Sequence, residues 1–112
     1  MKMIKKRFQN SFGFVDYIYK IDSTYPKGLF LFMGSYINKQ CRNSGKFKAI
    51  LKELFSTLPN ETVIQVGTIN KDLINFFLRL DFKKVDYIEY WGNTDNTVKM
   101  EGILTSELIK II

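Results

Sequence analysis

The apolar and polar positions along the 112-residue chain change period several times, and each change marks an element. "FGFVDYIYKI", Phe12 to Ile21, is rich in aromatic and β-branched residues and predicts a strand. Pro26 and Gly28 punctuate "DSTYPKG", Asp22 to Gly28, as a turn. "LFLFMGSYI", Leu29 to Ile37, is apolar on both sides, so it predicts a central strand hairpinned to the first. From Ser44 to Thr57 the period becomes helical. Phe47, Ile50, Leu51, Leu54, Phe55 and Leu58 fall on one face, and Pro59-Asn60 ends the run.

A third strand follows at Thr62 to Ile69. A second helix, Asn70 to Leu80, opens with an N-cap residue and an Asp in its first turn. Its apolar face is Leu73, Phe76, Phe77 and Leu80. "KVDYIEYW", Lys84 to Trp91, reads as a strand, Gly92 to Asn96 as a hairpin turn and Thr97 to Leu104 as the returning strand. Thr105 to Ile112 suits either a short helix or a strand end. The order β-β-α-β-α-β-β predicts an α/β (α+β) domain, one mixed sheet with helices packed on it. The step across the first helix is either a parallel crossover or a long antiparallel return.

Composition narrows the chemistry. Hydrophobic residues make up 46% of the chain, enough for one core, so residues 1–112 are expected to form a single domain. The absence of His excludes Ser-His-Asp and Cys-His catalysis and His-based zinc sites, and a lone Cys41 excludes an intramolecular disulfide or a cysteine-rich metal site. A reducing, cytoplasmic setting is expected. The start "MKMIKKRF" reads as a basic arm, without the continuous apolar core of a signal peptide. The longest apolar run, Leu29 to Met33, is too short to span a bilayer. A net charge of +6 favours an anionic partner. Lys and Arg are spread along the chain with no aromatic-basic interleaving on one strand, so nucleic acid is not the expected partner.

The turn "INKQCRNSGKF", Ile37 to Phe47, joins a strand to a helix and carries a glycine with Arg42 and Lys46. Helix-start amides are unpaired and the helix dipole is positive there, a setting that suits a diphosphate. Neither a phosphate-binding P-loop pattern nor a G-x-G-x-x-G fingerprint is present.

Two segments together resemble the GNAT superfamily of N-acetyltransferases. In that family a turn of pattern [QR]-x-x-G-x-[GA] opens a helix and holds the pyrophosphate of coenzyme A. Arg42, Gly45 and Phe47 occupy its marked positions. A later helix follows N-x-x-A-x-x-F-Y-x-x-x-G-F, and "NKDLINFFLRLDF" places Asn70, Leu73, Phe76, Phe77, Asp81 and Phe82 there. The resemblance spans about Phe12 to Leu104. It implies a GNAT-like sheet and a site for acetyl-coenzyme A (coenzyme A after transfer). That site would use Ile37, Arg42, Asn43, Ser44, Gly45, Lys46, Phe47, Asn70 and Phe77, with the amide near Ile37 facing the thioester carbonyl.

Departures from the family pattern are part of the resemblance. Phe47 stands where the family has Gly or Ala, and Asp81 replaces a turn Gly. Phe77 takes the place of the Tyr that protonates the leaving thiolate. The usual strand-helix-helix portion before the central strand is missing, which implies a short, N-terminally truncated, partly degenerate member. No carboxylate lies on the central strand to act as base. Asp16, Asp86, Glu89, Tyr17, Tyr36, Tyr87 and Tyr90 are the candidates, Tyr36 and Glu89 among them for a catalytic role, and none is assigned as the catalytic residue.

The implied activity is acetyl transfer from acetyl-coenzyme A to an amine of a small molecule or protein. The alternative is a catalytically degenerate coenzyme A-binding or protein-interaction module of the same fold. A two-fold homodimer is expected, pairing through the Phe12 to Ile21 strand edge or an uncovered aromatic face.

Overall fold

The computed structural model describes residues 4–42, 44–89 and 96–112. Among these the strands are β1 (Lys5–Asn10), β2 (Gly13–Lys20), β3 (Leu29–Ile37), β4 (Val63–Thr68), β5 (Lys83–Lys84) and β6 (Val98–Ile103). The helices are α1 (Lys46–Phe55), α2 (Lys71–Arg79) and α3 (Ser106–Ile111). The strands form one mixed sheet in the order β1-β2-β3-β4-β6-β5.

β3 is central, as its two-sided apolar pattern predicts. Phe30 and Phe32 face the helices. Leu29 and Leu31 pack with Ile18 on the opposite face, and all five are buried. The step across α1 is a parallel crossover, since β3 and β4 pair in parallel. α1 lays Ile50, Leu51, Leu54 and Phe55 on the sheet. Its last carbonyls are closed by Ser56 Oγ, which donates to Lys52 O, and Thr57 Oγ1, which donates to Leu54 O. α2 adds Phe77 to the same core, with Phe82 and Met100 beside it. Asp81 sits at φ 67°, the left-handed turn position that its place after α2 anticipates.

Three expectations change. The basic arm is in fact β1, joined to β2 by a two-residue turn and running antiparallel to it. Its alternation is hidden because the outward residues are Lys and Arg. β2 is therefore an interior strand and cannot pair a second copy through its edge. The free edge belongs to β1, whose Lys5, Lys6 and Arg7 oppose edge-to-edge association. The opposite face of the sheet is also closed at its centre, with Ile18, Leu29 and Leu31 all buried.

The strand expected over Lys84 to Trp91 is cut short. Val85 still donates its N–H to Lys99 O, but Asp86 to Glu89 leave the ladder and cross the face away from the helices. There Ile88 is buried against Gly67. The Gly92 to Asn96 turn lies almost wholly outside the described residues. The tail resolves as α3, capped by Thr105 Oγ1.

Candidate functional site: a cleft where two parallel strands part

β3 and β4 pair from Leu29↔Val63 to Phe32↔Val66 and then separate. β3 continues to Ile37 on β2 alone, and β4 continues to Thr68 on β6 alone. The divergence has a local cause. Tyr17 pairs with Phe32 and Asp16 with Gly34, so Met33 is an extra residue that bulges β3 and turns it from β4. Past Phe32, the β3 edge facing β4 has no strand partner among the described residues. The gap opens into a cleft of about 860 Å³, within the range of ligand pockets. β3 from Phe32 to Ile37 forms one wall, Gly67 and Thr68 the other, and the starts of α1 and α2 close the end.

The two helix starts differ. α2 is capped by Asn70, whose Oδ1 accepts the N–H groups of Asp72 and Leu73, and Asp72 complements the dipole. α1 begins at Gly45, φ 75°, with no side-chain cap and no acidic residue in its first turn among the described residues. Lys46 and Lys48 lie in that turn instead, at the positive end of the dipole. A Cβ at Gly45 would meet nothing within 4 Å among the described residues. The combination is an uncapped, cation-flanked helix start facing an open cleft, matched to an anion.

The approach to α1 is held from below. Asn38 donates its N–H to Phe12 O and its Nδ2 to Ser11 O, fixing the end of β3 to the β1–β2 turn. Asn10 Nδ2 donates to Glu53 of α1. Arg42 Nε donates to Ile37 O at 2.9 Å, and its guanidinium lies 5.1 Å from the Tyr36 ring. Lys46 Nζ lies 4.6 Å from the Phe12 ring. Both cationic groups line the cleft.

Of the residues expected at the site, Ile37, Arg42, Gly45, Lys46, Phe47 and Asn70 line the cleft. Ser44 is exposed in the same turn, its hydroxyl donating to Cys41 O. Asn43 lies outside the described residues. Phe47 does both things its position allows. It packs edge-on against Phe32 and Phe76 and also lines the cleft.

Phe77 requires correction. It is fully buried, ringed by Phe32, Phe76 and Phe82, and is not among the cleft-lining residues. Phe76 takes the wall position, because α2 turns that side chain toward α1.

The expected bases are dispersed. Tyr36 lines the cleft rim, stacked on Phe14. Asp16 is bound by Arg7 at 2.7 Å, a hydrogen bond that outweighs partial burial and holds its carboxyl below the ordinary range. Tyr17 stacks on Phe30 in the core. Asp86 and Tyr87 are exposed and do not line the cleft, and Tyr90 and Trp91 lie outside the described residues.

Glu89 belongs to a polar network on the face away from the helices. Gln65, buried at the middle of β4, donates from Nε2 to Tyr25 Oη and Glu101 Oε2 and accepts the Glu89 N–H. Tyr25 Oη donates to Glu89, and Lys20 bridges Glu89 and Asp22. Burial lowers the Lys20 pKa, but its bonds to the two carboxylates prevail and raise it. Burial, helped by Glu89 and Glu101, raises the Tyr25 pKa, so its hydroxyl stays neutral. The one signal for this network in the sequence is Gln65, a polar residue inside an apolar strand. Lys48, Phe76 and Arg79 on the cleft wall were likewise missed, although Phe76 and Arg79 share a helical face.

No family model matches the sequence, and no curated protein matches it. Solved structures do match in fold. Naa50 of Arabidopsis thaliana, in complex with the bisubstrate analogue CoA-Ac-MVNAL, superposes with a TM-score of 0.60 at 17% identity, over 81% of this chain and 64% of that one. NAA60 of the same plant, in complex with acetyl-CoA, gives 0.53 at 18%, over 82% and 65%. A Klebsiella pneumoniae protein named as an acyl-CoA N-acyltransferase gives 0.62 at 14%, over 83% and 63%. The chain thus spans a little under two thirds of the length of these structures.

Proposed function

We propose that this chain, which has the fold of the GNAT N-acetyltransferases, binds acetyl-coenzyme A in the cleft between β3 and β4 and passes its acetyl group to an amine. One observation carries the reading. The β3–β4 ladder stops at Phe32↔Val66 and opens directly onto the uncapped, basic start of α1. An extended thioester with a diphosphate at one end fits that arrangement. Coenzyme A ligands in the Naa50 and NAA60 structures support it.

In this reading the α1 amides, with Arg42 and Lys46, hold the diphosphate. The unpaired edge of β3 from Met33 to Ile37 aligns the pantetheine arm and offers a backbone N–H to the thioester oxygen. With acetyl-coenzyme A bound, a neutral amine nitrogen would form a bond to the carbonyl carbon as the carbon–sulfur bond breaks, the thiolate leaving as coenzyme A and the proton shed by nitrogen passing through solvent to it. Positioning and backbone electrostatics supply most of the acceleration, because the α2 ring on the cleft wall, Phe76, has no hydroxyl to give the leaving sulfur and Phe77 is buried away from it. The thiol's pKa of roughly 8.5 makes that loss tolerable. The acceptor is an amine of a small molecule or a protein. A reducing, cytoplasmic setting belongs to the same reading, supported by the lone, unpaired Cys41.

A second reading, coenzyme A binding without transfer, is favoured by one observation. Asp72 is the sole carboxylate lining the cleft among the described residues, and it sits in the first turn of α2. Release of free thiol from acetyl-coenzyme A separates the two. Acceptor-dependent release above the protein-free rate supports the enzyme. Coenzyme A binding without release, across primary amines and peptides, supports the binding module. Neither binding nor release overturns both.

A further inference from the structure

The cleft carries more positive charge than a diphosphate needs. Arg42, Lys46, Lys48 and Arg79 line it against Asp72 alone among the described residues. Arg42 and Lys46 are anchored at the start of α1 by Ile37, Tyr36 and Phe12. The side chains of Lys48 and Arg79 have no hydrogen bond or ion pair to a described residue. They stand on different helices and flank one contact, that of the Phe47 and Phe76 rings at 5.1 Å. Lys48 follows Phe47 in α1, and Arg79 is one turn beyond Phe76 in α2. Lys48 is in the first turn of α1, and Arg79, in the last turn of α2, reaches the same cleft from the other helix.

We infer that Arg79, with Lys48 opposite, forms a second phosphate subsite that takes the 3′-phosphomonoester of coenzyme A and makes the protein select 3′-phosphorylated coenzyme A over its dephosphorylated form. The inference rests on the cofactor reading above. The chemistry is specific. Coenzyme A bears two separate anionic groups, a diphosphate and a ribose monoester whose charge at pH 7 approaches −2. A guanidinium can grip a monoester through two N–H groups, and an ammonium adds a point charge. Arg79 is exposed in the last turn of α2, so replacing it leaves the core intact. Ala also preserves helix propensity.

The test is isothermal titration of the full chain with coenzyme A and with 3′-dephospho-coenzyme A at fixed salt. The wild type should bind coenzyme A about tenfold more tightly than the dephospho form. Arg79→Ala should abolish that preference by weakening coenzyme A alone, with dephospho-coenzyme A affinity held within about twofold. Arg79→Lys should keep part of the preference. Equal wild-type affinities for the two ligands would overturn the subsite, as would an equal loss for both in Arg79→Ala. Failure of both ligands to bind the wild type would overturn the cofactor reading itself, and the subsite with it.

Discussion

The side-chain carbonyl of Gln65 accepts the backbone N–H of Glu89 at 2.9 Å, which straps the segment after β5 across β4 at the foot of the cleft. The residue before, Ile88, lies so close to Gly67 that a Cβ there would come within 2.8 Å of its Cδ1. Gly67 itself lines the cleft. The network on one face of the sheet thus lies behind the cleft wall at Gly67.

Gln65→Leu keeps volume and removes three hydrogen bonds. It leaves the Glu89 N–H and Glu101 without their partner in a part-buried setting. Unsatisfied groups of this kind cost about 1–3 kcal/mol each when buried. Melting temperature should fall by several degrees, and hydrogen exchange at the Glu89 amide should accelerate more than at Leu54 in the core. Equal protection of the Glu89 amide in variant and wild type would show that Gln65 does not hold the strap.

Phe77→Tyr places a hydroxyl in a site packed by Phe32, Phe76 and Phe82, with no room on the cleft wall. The unpaired hydroxyl should destabilise the fold by roughly 1–3 kcal/mol, with no gain in acetyl transfer. A variant that melts normally and transfers acetyl groups faster would mean that the ring reaches the thioester after all.

Asp16 gives the stability a defined response to acid. Its folded pKa is depressed by the Arg7 hydrogen bond, so the stabilisation is present above the unfolded value near ~3.9 and is lost as pH falls through the folded one. Asp16→Asn should flatten the melting temperature against pH in that acid range while leaving the rest of the profile in place. An unchanged acid limb in the variant would assign the loss to other carboxylates.

The sequence made some of this legible and hid the rest for physical reasons. β3 and the apolar face of α1 were readable because burial dictates residue type there, and Gly45 because a left-handed helix start selects glycine. β1 was not readable, since an edge strand with solvent on its outer positions carries Lys and Arg where a core strand would alternate. The early end of β5 was hidden as well. "KVDYIEYW" has strand composition, and what pulls it off the ladder is the distant Gln65. That Phe76 and not Phe77 lines the cleft was hidden because adjacent aromatic residues on a helix differ by about 100° in direction, and only the packing of α1 against α2 decides which one faces the cleft.

The central claim is that the cleft at the start of α1 holds coenzyme A, and thermal denaturation with and without the ligand tests it most directly. At a hundredfold excess over its dissociation constant, a native-state ligand adds about 2.7 kcal/mol, seen as a rise of several degrees in a domain of this size. Gly45→Val should fold with a loss of about 1–2 kcal/mol from its left-handed backbone, since its Cβ meets no described atom, yet show no rise with coenzyme A because the side chain occupies the phosphate approach. A wild-type protein whose melting temperature does not move at millimolar coenzyme A would contradict the account.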